Sequence, residues 1–148
     1  MTRNRSAFTL IELMSVMVII GLLAGISVPK LSRSIDNAKI TRAIGDLRAI
    51  SQELAPLDSV PATLAAMGRG SLLDPWGRPY VYYKFPPVVP PATPTGARED
   101  RFSVPINSRY DIYSLGPDGQ SAASLTAAPS RDDVVFSSEG FIGLAIKY

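Results

Sequence analysis

The stretch "FTLIELMSVMVIIGLLAGISVPK", residues 8–30, decides how this chain folds. Its apolar part runs for 21 residues, from Phe8 to Val28. As a helix, that length measures about 31 Å, which matches a hydrocarbon core of about 30 Å. One acid, Glu12, lies near its start, and Pro29 follows its last apolar residue. The segment therefore predicts a membrane-length helix that carries a carboxylate close to one end.

The N-terminal segment is open to three interpretations. A short basic stretch, residues 1–7, followed at once by apolar residues is typical of a secretory signal peptide, with cleavage near "LLAGIS". The same pattern fits an uncleaved single-pass anchor, or a helix that leaves the bilayer and packs against copies of itself. An acid such as Glu12 inside a membrane segment is costly and usually has a partner or a function. At the headgroup interface, however, the same acid costs little.

The residues after Pro29 continue the helix as an amphipathic one. Charged residues on one face include an Arg42–Asp46 pair at i,i+4 spacing, and Pro56 ends the pattern. We expect one helix over about residues 8–55, with a kink at Pro29. A cleaved signal peptide would not continue into such a pattern. Apolar residues recur on the other face at steps of mostly three and four: Leu31, Ile35, Ala38, Ile44, Leu47, Ile50 or Ser51, and Leu54.

The composition limits the chemistry that the chain can perform. Cysteine and histidine are both absent, which excludes disulfides, thiolate zinc sites and a histidine general base. Net charge is +2, from 15 basic and 13 acidic residues, and no basic tract favours nucleic acid. The sequence contains no phosphate-binding, dinucleotide-binding or serine–lysine motif. The remaining acid–base candidates, Asp74 and Asp111, are predicted in a turn and on a strand, so we expect no enzyme.

A short helix is predicted at the start of the C-terminal part. In "SVPATLAAMGRG", residues 59–70, Ser59 can cap the helix, Pro61 sits in its first turn, and Gly68 or Gly70 ends it. The following "DPWG" is a turn sequence, with proline at its second position and glycine at its fourth.

Strands are predicted in the rest of the chain. Aromatic and β-branched residues indicate strands at 80–85, 109–114 and 134–137, and residues 141–148 indicate a short strand at the sheet edge. The proline-rich loop 86–97 cannot form the hydrogen-bond ladder of a β-sheet, because proline has no N–H to donate. We therefore expect it to be exposed, either as a linker or as a partner-binding segment. The predicted fold class is α+β: a long N-terminal helix packed by a small antiparallel β-sheet.

The N-terminal motif resembles a known processing signal. "A-FTLIELMSVMVIIGLLAGISVPKL" is similar to the class III signal of type IV pilins and type II secretion pseudopilins. In that family a basic leader is cut before a phenylalanine, which the prepilin peptidase then N-methylates, and the fifth mature residue is glutamate. The resemblance implies cleavage between Ala7 and Phe8, with Glu12 as the fifth mature residue and Pro29 as the kink. The family usually has glycine before the cut; Ala7 is the smallest substitute, and cleavage is still expected.

The same resemblance suggests a role for Glu12. In a filament of staggered parallel helices, its carboxylate can meet the new α-amine of Phe8 on a neighbouring subunit. Such a pair, buried among apolar side chains, is costly to break on one side because an uncompensated charge remains. It is expected to set the axial stagger between subunits.

The C-terminal part also resembles a known family. "DPWGRPYVY", "YDIYSLGPDGQ" and a following aspartate pair are similar to the major, G-type pseudopilin of type II secretion systems. In that family a calcium ion ties the loop after the second strand to the start of the last strand, which implies Asp118, Asp132, Asp133 and the backbone carbonyl of Leu115 as ligands. Ca²⁺ takes six to eight oxygens from such groups. The alternative is that Asp118 serves its turn while the aspartate pair lies exposed at a strand entrance. The thirteen residues between Asp118 and Asp132 make this loop longer than expected for the family.

These resemblances imply a domain organisation and a location. Residues 1–7 form the leader, 8–29 the apolar transmembrane or filament-core helix, 30–55 the amphipathic half, and 56–148 the globular domain with the loop 86–97. The chain is expected to span the inner membrane once, with its globular domain in the periplasm. The expected assembly is a homo-oligomeric helical filament in the periplasm.

The implied function is that of a structural subunit of a type II secretion pseudopilus, which drives protein export across the outer membrane. The expected partners are the prepilin peptidase, minor pseudopilins and an inner-membrane assembly platform, with no nucleic acid. One alternative is a type IV pilus pilin for adhesion, motility or DNA uptake. A second is a periplasmic binding module released by an ordinary signal peptidase.

Overall fold

The computed structural model describes residues 8–87 and 93–148. The leader 1–7, with the predicted cleavage residue Ala7, lies outside the described residues, as do residues 88–92 of the proline-rich loop. The chain divides into two compact units, Met1–Asn37 and Ala38–Tyr148. One helix, α1, runs from Leu10 to Leu54, and Pro29 lies inside it. The prediction of a single long N-terminal helix is confirmed.

The described part of the first unit, residues 8–37, contains the apolar portion of α1 and the start of its amphipathic half. All of its described residues are exposed. Pro29 lacks the N–H that would donate to the carbonyl of Gly25, yet α1 extends on both sides of it. By length and composition, α1 qualifies as a helix able to cross a membrane.

The second half of α1 buries one face in the second unit. Leu47, Ile50 and Leu54, which belong to the predicted apolar face, are fully buried. The apolar spacing also placed Ile44 on this face, but the structure buries Ala43 completely and Ile44 only in part. On the other face Arg42 Nε lies 3.9 Å from Asp46 Oδ2, as the i,i+4 spacing predicted.

The sheet has four antiparallel strands in the order β1-β2-β3-β4, so each strand pairs with its neighbour in the chain. The strands are β1 (Val81–Lys84), β2 (Tyr110–Ser114), β3 (Val134–Phe136) and β4 (Ile142–Leu144). In the register, Tyr82 faces Ile112, Tyr113 faces Val135, and Val135 faces Gly143. Together with α1, this sheet confirms the α+β, pilin-like architecture.

Side chains cover the sheet on both faces, because successive strand residues point in opposite directions. On one face Ile112 and Val134 pack in a cluster with Leu47 and other buried residues of α1. On the other face Val135 packs with Ile106, Leu125 and Ala145, and Tyr113 lies against that cluster. The second cluster adjoins the long loop between β2 and β3.

The short helix predicted from Ser59 begins later than expected. It is a 3-10 helix over Leu64–Met67, and its N-cap is Thr63, so the predicted Ser59 cap is wrong. Pro61 disfavours helical geometry at the preceding Val60, which instead buries its side chain in the core. The predicted stop at Gly68 is confirmed: its φ of 72° is left-handed, and its N–H donates to the carbonyls of Leu64 and Ala65.

Candidate functional site

Glu12 forms a capping box with Thr9 at the start of α1. Its Oε2 accepts hydrogen bonds from the Thr9 N–H at 2.9 Å and from Thr9 Oγ1 at 2.7 Å. In return, the Glu12 N–H donates to Thr9 Oγ1 at 3.3 Å. The T-x-x-E spacing of this box is visible in the sequence, but the sequence interpretation overlooked it. The box holds the carboxylate at the end of the helix, close to Phe8.

The apolar segment presents its side chains outward along its whole described length. Phe8 is 78% exposed, and Ile11 is 75% exposed. Monomeric soluble proteins rarely expose contiguous apolar patches larger than a few hundred Å². This surface therefore requires an apolar environment, either lipid or other helices.

Two of the predicted calcium ligands lie close together after β2. The backbone N–H of Asp118 donates to Asp132 Oδ2 at 3.3 Å. The other contacts are local: Asp118 Oδ1 accepts from the Gln120 N–H at 2.8 Å, and the Leu115 carbonyl accepts from the Gly119 N–H at 3.2 Å. Asp118 thus serves its own turn while its backbone contacts Asp132.

The third carboxylate, Asp133, binds other groups of the domain. Asp133 is fully buried, and its Oδ2 accepts hydrogen bonds from Ser121 Oγ at 2.6 Å and from Arg98 Nη2. Burial raises the pKa of the Asp133 carboxyl, while the donors Ser121 and Arg98 act in the opposite direction. The alternative that both aspartates lie exposed is therefore wrong for Asp133, because an ion pair within the protein replaces its hydration.

The described residues do not fit the predicted calcium ligand set. Asp133 is engaged by the guanidinium of Arg98, which is only 2% exposed. Within residues 8–87 and 93–148, no group of three or more His, Cys, Asp or Glu side chains is placed to hold a metal ion. Calcium binding is thus implied by the family resemblance alone.

Asp111, on β2, is a second buried acid beside Arg98. Its Oδ2 accepts from the backbone N–H of Arg98 at 2.6 Å, and its Oδ1 accepts from Asn107 Nδ2 at 2.8 Å. Asn107 Nδ2 also donates to the carbonyl of Phe136 at 3.0 Å. Burial raises the pKa of Asp111, and these hydrogen bonds partly offset it. Asp111 therefore joins β2 to the segment before it, and Asn107 extends this contact to β3.

Asp74, the other acid considered for acid–base chemistry, organises its own turn. Asp74 Oδ1 accepts from the N–H groups of Trp76 at 3.0 Å and Arg78 at 2.8 Å. Its Oδ2 accepts from Ser114 Oγ, on β2, at 2.6 Å. Because Asp74 and Asp111 each bind structural donors, neither carboxylate is arranged for proton transfer to a substrate.

Arg78 contacts the turn that follows β2. Its Nη1 donates to the Gly116 carbonyl at 2.6 Å, and its Nη2 donates to the Pro117 carbonyl at 3.2 Å. Gly119 has a φ of 72°, and a Cβ there would lie 2.6 Å from Arg78 Cζ. The left-handed backbone favours glycine at this position, and a Cβ there would displace the Arg78 guanidinium.

Arg78 and Arg98 were both missed by the sequence interpretation. Arg98 directly follows the proline-rich loop, which was predicted to be exposed. That prediction is wrong at the end of the loop, where Ala97 is 6% exposed and packs in the domain. The available signal was the acid at Asp111 on a strand rich in apolar residues, since a buried acid needs donors.

Comparisons with known proteins agree with this architecture. The family model described as the prokaryotic N-terminal methylation motif matches residues 2–28. The type II secretion system core protein G of Pseudomonas aeruginosa is 31% identical, over 82% of this chain and 90% of that relative. The Klebsiella pneumoniae protein of the same description is 33% identical, over 80% of this chain and 89% of that relative. No solved structure gives a significant match.

The methylation motif, the long apolar helix and the antiparallel sheet define a pilin-like subunit. The chain belongs to the type II secretion system core protein G family, the major pseudopilins. The relatives are structural pseudopilin subunits, which confirms the prediction that the chain is not an enzyme. The apolar helix and the motif fit a membrane-anchored component of the secretion system.

Proposed function

We propose that the chain is cut between Ala7 and Phe8, N-methylated on Phe8 by the prepilin peptidase, and assembled into a helical pseudopilus in the periplasm. This filament drives protein export across the outer membrane. The observation that carries the proposal is the methylation motif over residues 2–28, joined directly to an apolar helix whose described side chains are exposed.

The exposed apolar surface supports assembly as well as membrane insertion. Before assembly, residues 8–28 lie in the inner membrane as a single span, with the globular domain in the periplasm. After assembly, neighbouring copies of the same helix replace the lipid. Both environments bury the exposed apolar side chains, so a subunit can pass from one to the other without exposing them to water.

Glu12 supports the same proposal through its position. The capping box holds its carboxylate at the N-terminal end of α1, where an α-amine of Phe8 on a neighbouring subunit can reach it. In the membrane, the Thr9 hydroxyl and N–H donate hydrogen bonds to the Glu12 carboxylate. In the filament, the α-amine adds the opposite charge, which fixes the stagger between subunits.

Membership of the core protein G family supports assembly with other components of the secretion system. The proposal includes minor pseudopilins and an inner-membrane assembly platform in addition to the peptidase. The resemblance of the chain to core proteins G along about four-fifths of its length favours secretion over a type IV pilus for adhesion, motility or DNA uptake. The near balance of 15 basic and 13 acidic residues offers no support for binding DNA.

Mass spectrometry of the mature protein tests the processing step. We expect the N-terminus at Phe8, carrying one added methyl group, because the family resemblance implies a peptidase cut before this residue. The Ala7→Gly variant, which restores the residue usual in the family, is the matched control and should give the same mature N-terminus. An N-terminus near residue 25 would instead show ordinary signal peptidase cleavage and a released periplasmic module.

Protein export tests the function itself. In the native bacterium, deletion of this chain should retain in the periplasm those proteins that normally reach the culture medium. Expression of the intact chain should restore them to the medium, and the Glu12→Gln variant should not. An unchanged set of extracellular proteins after deletion, accompanied by loss of surface pili, would favour the type IV pilus instead.

A further inference from the structure

We propose that two arginines, Arg98 and Arg78, act as built-in cations that fasten the loop between β2 and β3, in the role that the family resemblance assigns to calcium. This loop, residues 115–133, is called the β2–β3 loop below. The inference concerns how the domain is stabilised and does not depend on the proposed secretion function.

Arg98 connects several points of the β2–β3 loop with one side chain. Its Nη1 donates to Ser121 Oγ and, at 2.6 Å, to the Ala122 carbonyl, while its Nη2 donates to Asp133. Its backbone N–H is bound by Asp111 on β2. A guanidinium has five N–H donors in a planar fork and stays protonated, so it is a permanent cation with several fixed contacts.

Burial makes the Arg98–Asp133 pair mutually dependent. Arg98 is 2% exposed and Asp133 is fully buried, so each charge lacks water and is compensated by the other. The guanidinium carbon also lies 4.0 Å from the centre of the Tyr113 ring, in a cation–π contact. A divalent cation at Asp133 would have to approach this fixed positive charge. The guanidinium thus occupies Asp133 Oδ2 and disfavours a metal ion there, while Asp133 Oδ1 has no hydrogen-bond partner among the described residues.

Arg78 holds the beginning of the same loop. It donates to the carbonyls of Gly116 and Pro117, which are oxygens of the kind that calcium takes as ligands. The absence of a Cβ at Gly119 lets the loop lie directly against the guanidinium. The β2–β3 loop is therefore held by Arg78 at its start and by Arg98 at its middle and end, in a chain that has no cysteine for a disulfide.

Thermal unfolding with and without calcium tests the inference. The full chain, purified in detergent, is heated in millimolar CaCl₂ or in excess EGTA while near-ultraviolet circular dichroism follows the packing of the tyrosines and Trp76. We expect the two midpoints to coincide, because the arginines already supply the positive charge. A clearly higher midpoint in CaCl₂ than in EGTA would overturn the proposal, since ligand binding to the folded state raises the midpoint.

Variants at Arg98 test the same inference independently. Arg98→Met should lower the midpoint by roughly 10 °C or more, because it leaves Asp133 buried without a counter-charge. Arg131→Met is the matched control: Arg131 is exposed on the same loop, and its substitution should leave the midpoint nearly unchanged. Equal midpoints for the two variants would contradict the inference.

A double variant keeps the test decisive if Arg98→Met does not fold. Replacing both partners of a buried ion pair costs less than replacing one, because no lone charge remains. We therefore expect Arg98→Met combined with Asp133→Leu to give folded protein and a higher midpoint than Arg98→Met alone. A double variant no better than the single one would show that the pair does not carry the effect.

Discussion

The Glu12→Gln variant is expected to insert into the membrane normally and to form no filament. Glutamine at this position can still accept the hydrogen bonds of Thr9, so the capping box and the start of α1 are retained. What the variant loses is the negative charge. In the proposed filament, the α-amine of Phe8 on a neighbouring subunit is then left buried without a counter-charge, at a cost of about 3–5 kcal/mol per contact.

Two further variants serve as references for Glu12→Gln. Glu12→Ala removes both the charge and the cap and should also fail to assemble. Glu139→Gln removes an exposed acid from the globular domain and should assemble normally. Fractionation of membranes measures insertion, and electron microscopy measures filaments. Filaments of Glu12→Gln in normal number would show that the charge at residue 12 is not needed.

Leu47→Ala is expected to lower the free energy of unfolding of the globular domain by about 2–5 kcal/mol. Leu47 is fully buried on α1 and packs in the cluster that contains Ile112 and Val134. Truncation of the Leu47 side chain opens a cavity between the helix and the sheet. The closely packed neighbouring side chains cannot readily move to fill it. Chemical denaturation of the full chain in detergent, followed by near-ultraviolet circular dichroism, measures the change.

Leu57→Ala is the matched control for this prediction. Leu57 follows the end of α1 and is 39% exposed, so its truncation should cost less than about 1 kcal/mol. Similar losses for the two variants would mean that the amphipathic half of α1 does not supply the core of the domain.

Local patterns in the sequence accounted for most of the fold. The spacing of Leu47, Ile50 and Leu54 identifies the buried face of α1 because helical periodicity is a property of neighbouring residues. The first three strands were recognised because each is rich in aromatic or β-branched residues. The cap at Ser59 was mispredicted because Val60 packs into the core, and this tertiary contact takes precedence over the local capping signal.

The site was predictable only where it is contiguous in the sequence. The methylation motif and Glu12 lie within one continuous segment, whereas the arginine contacts do not. Arg98 is 13 residues from Asp111 and 35 from Asp133, and Arg78 is 38 residues from Gly116. Such pairs are formed by the folding of the sheet and leave no fixed spacing in the sequence. Thr9 is a different case, since its T-x-x-E signal was present and was overlooked.

Electron microscopy of cells that overproduce this chain together with its secretion system tests the central claim most directly. We predict filaments that bind antibody against this chain and disappear when the prepilin peptidase is deleted. Abundant, correctly inserted chain that forms no filament in the presence of the peptidase would contradict the account.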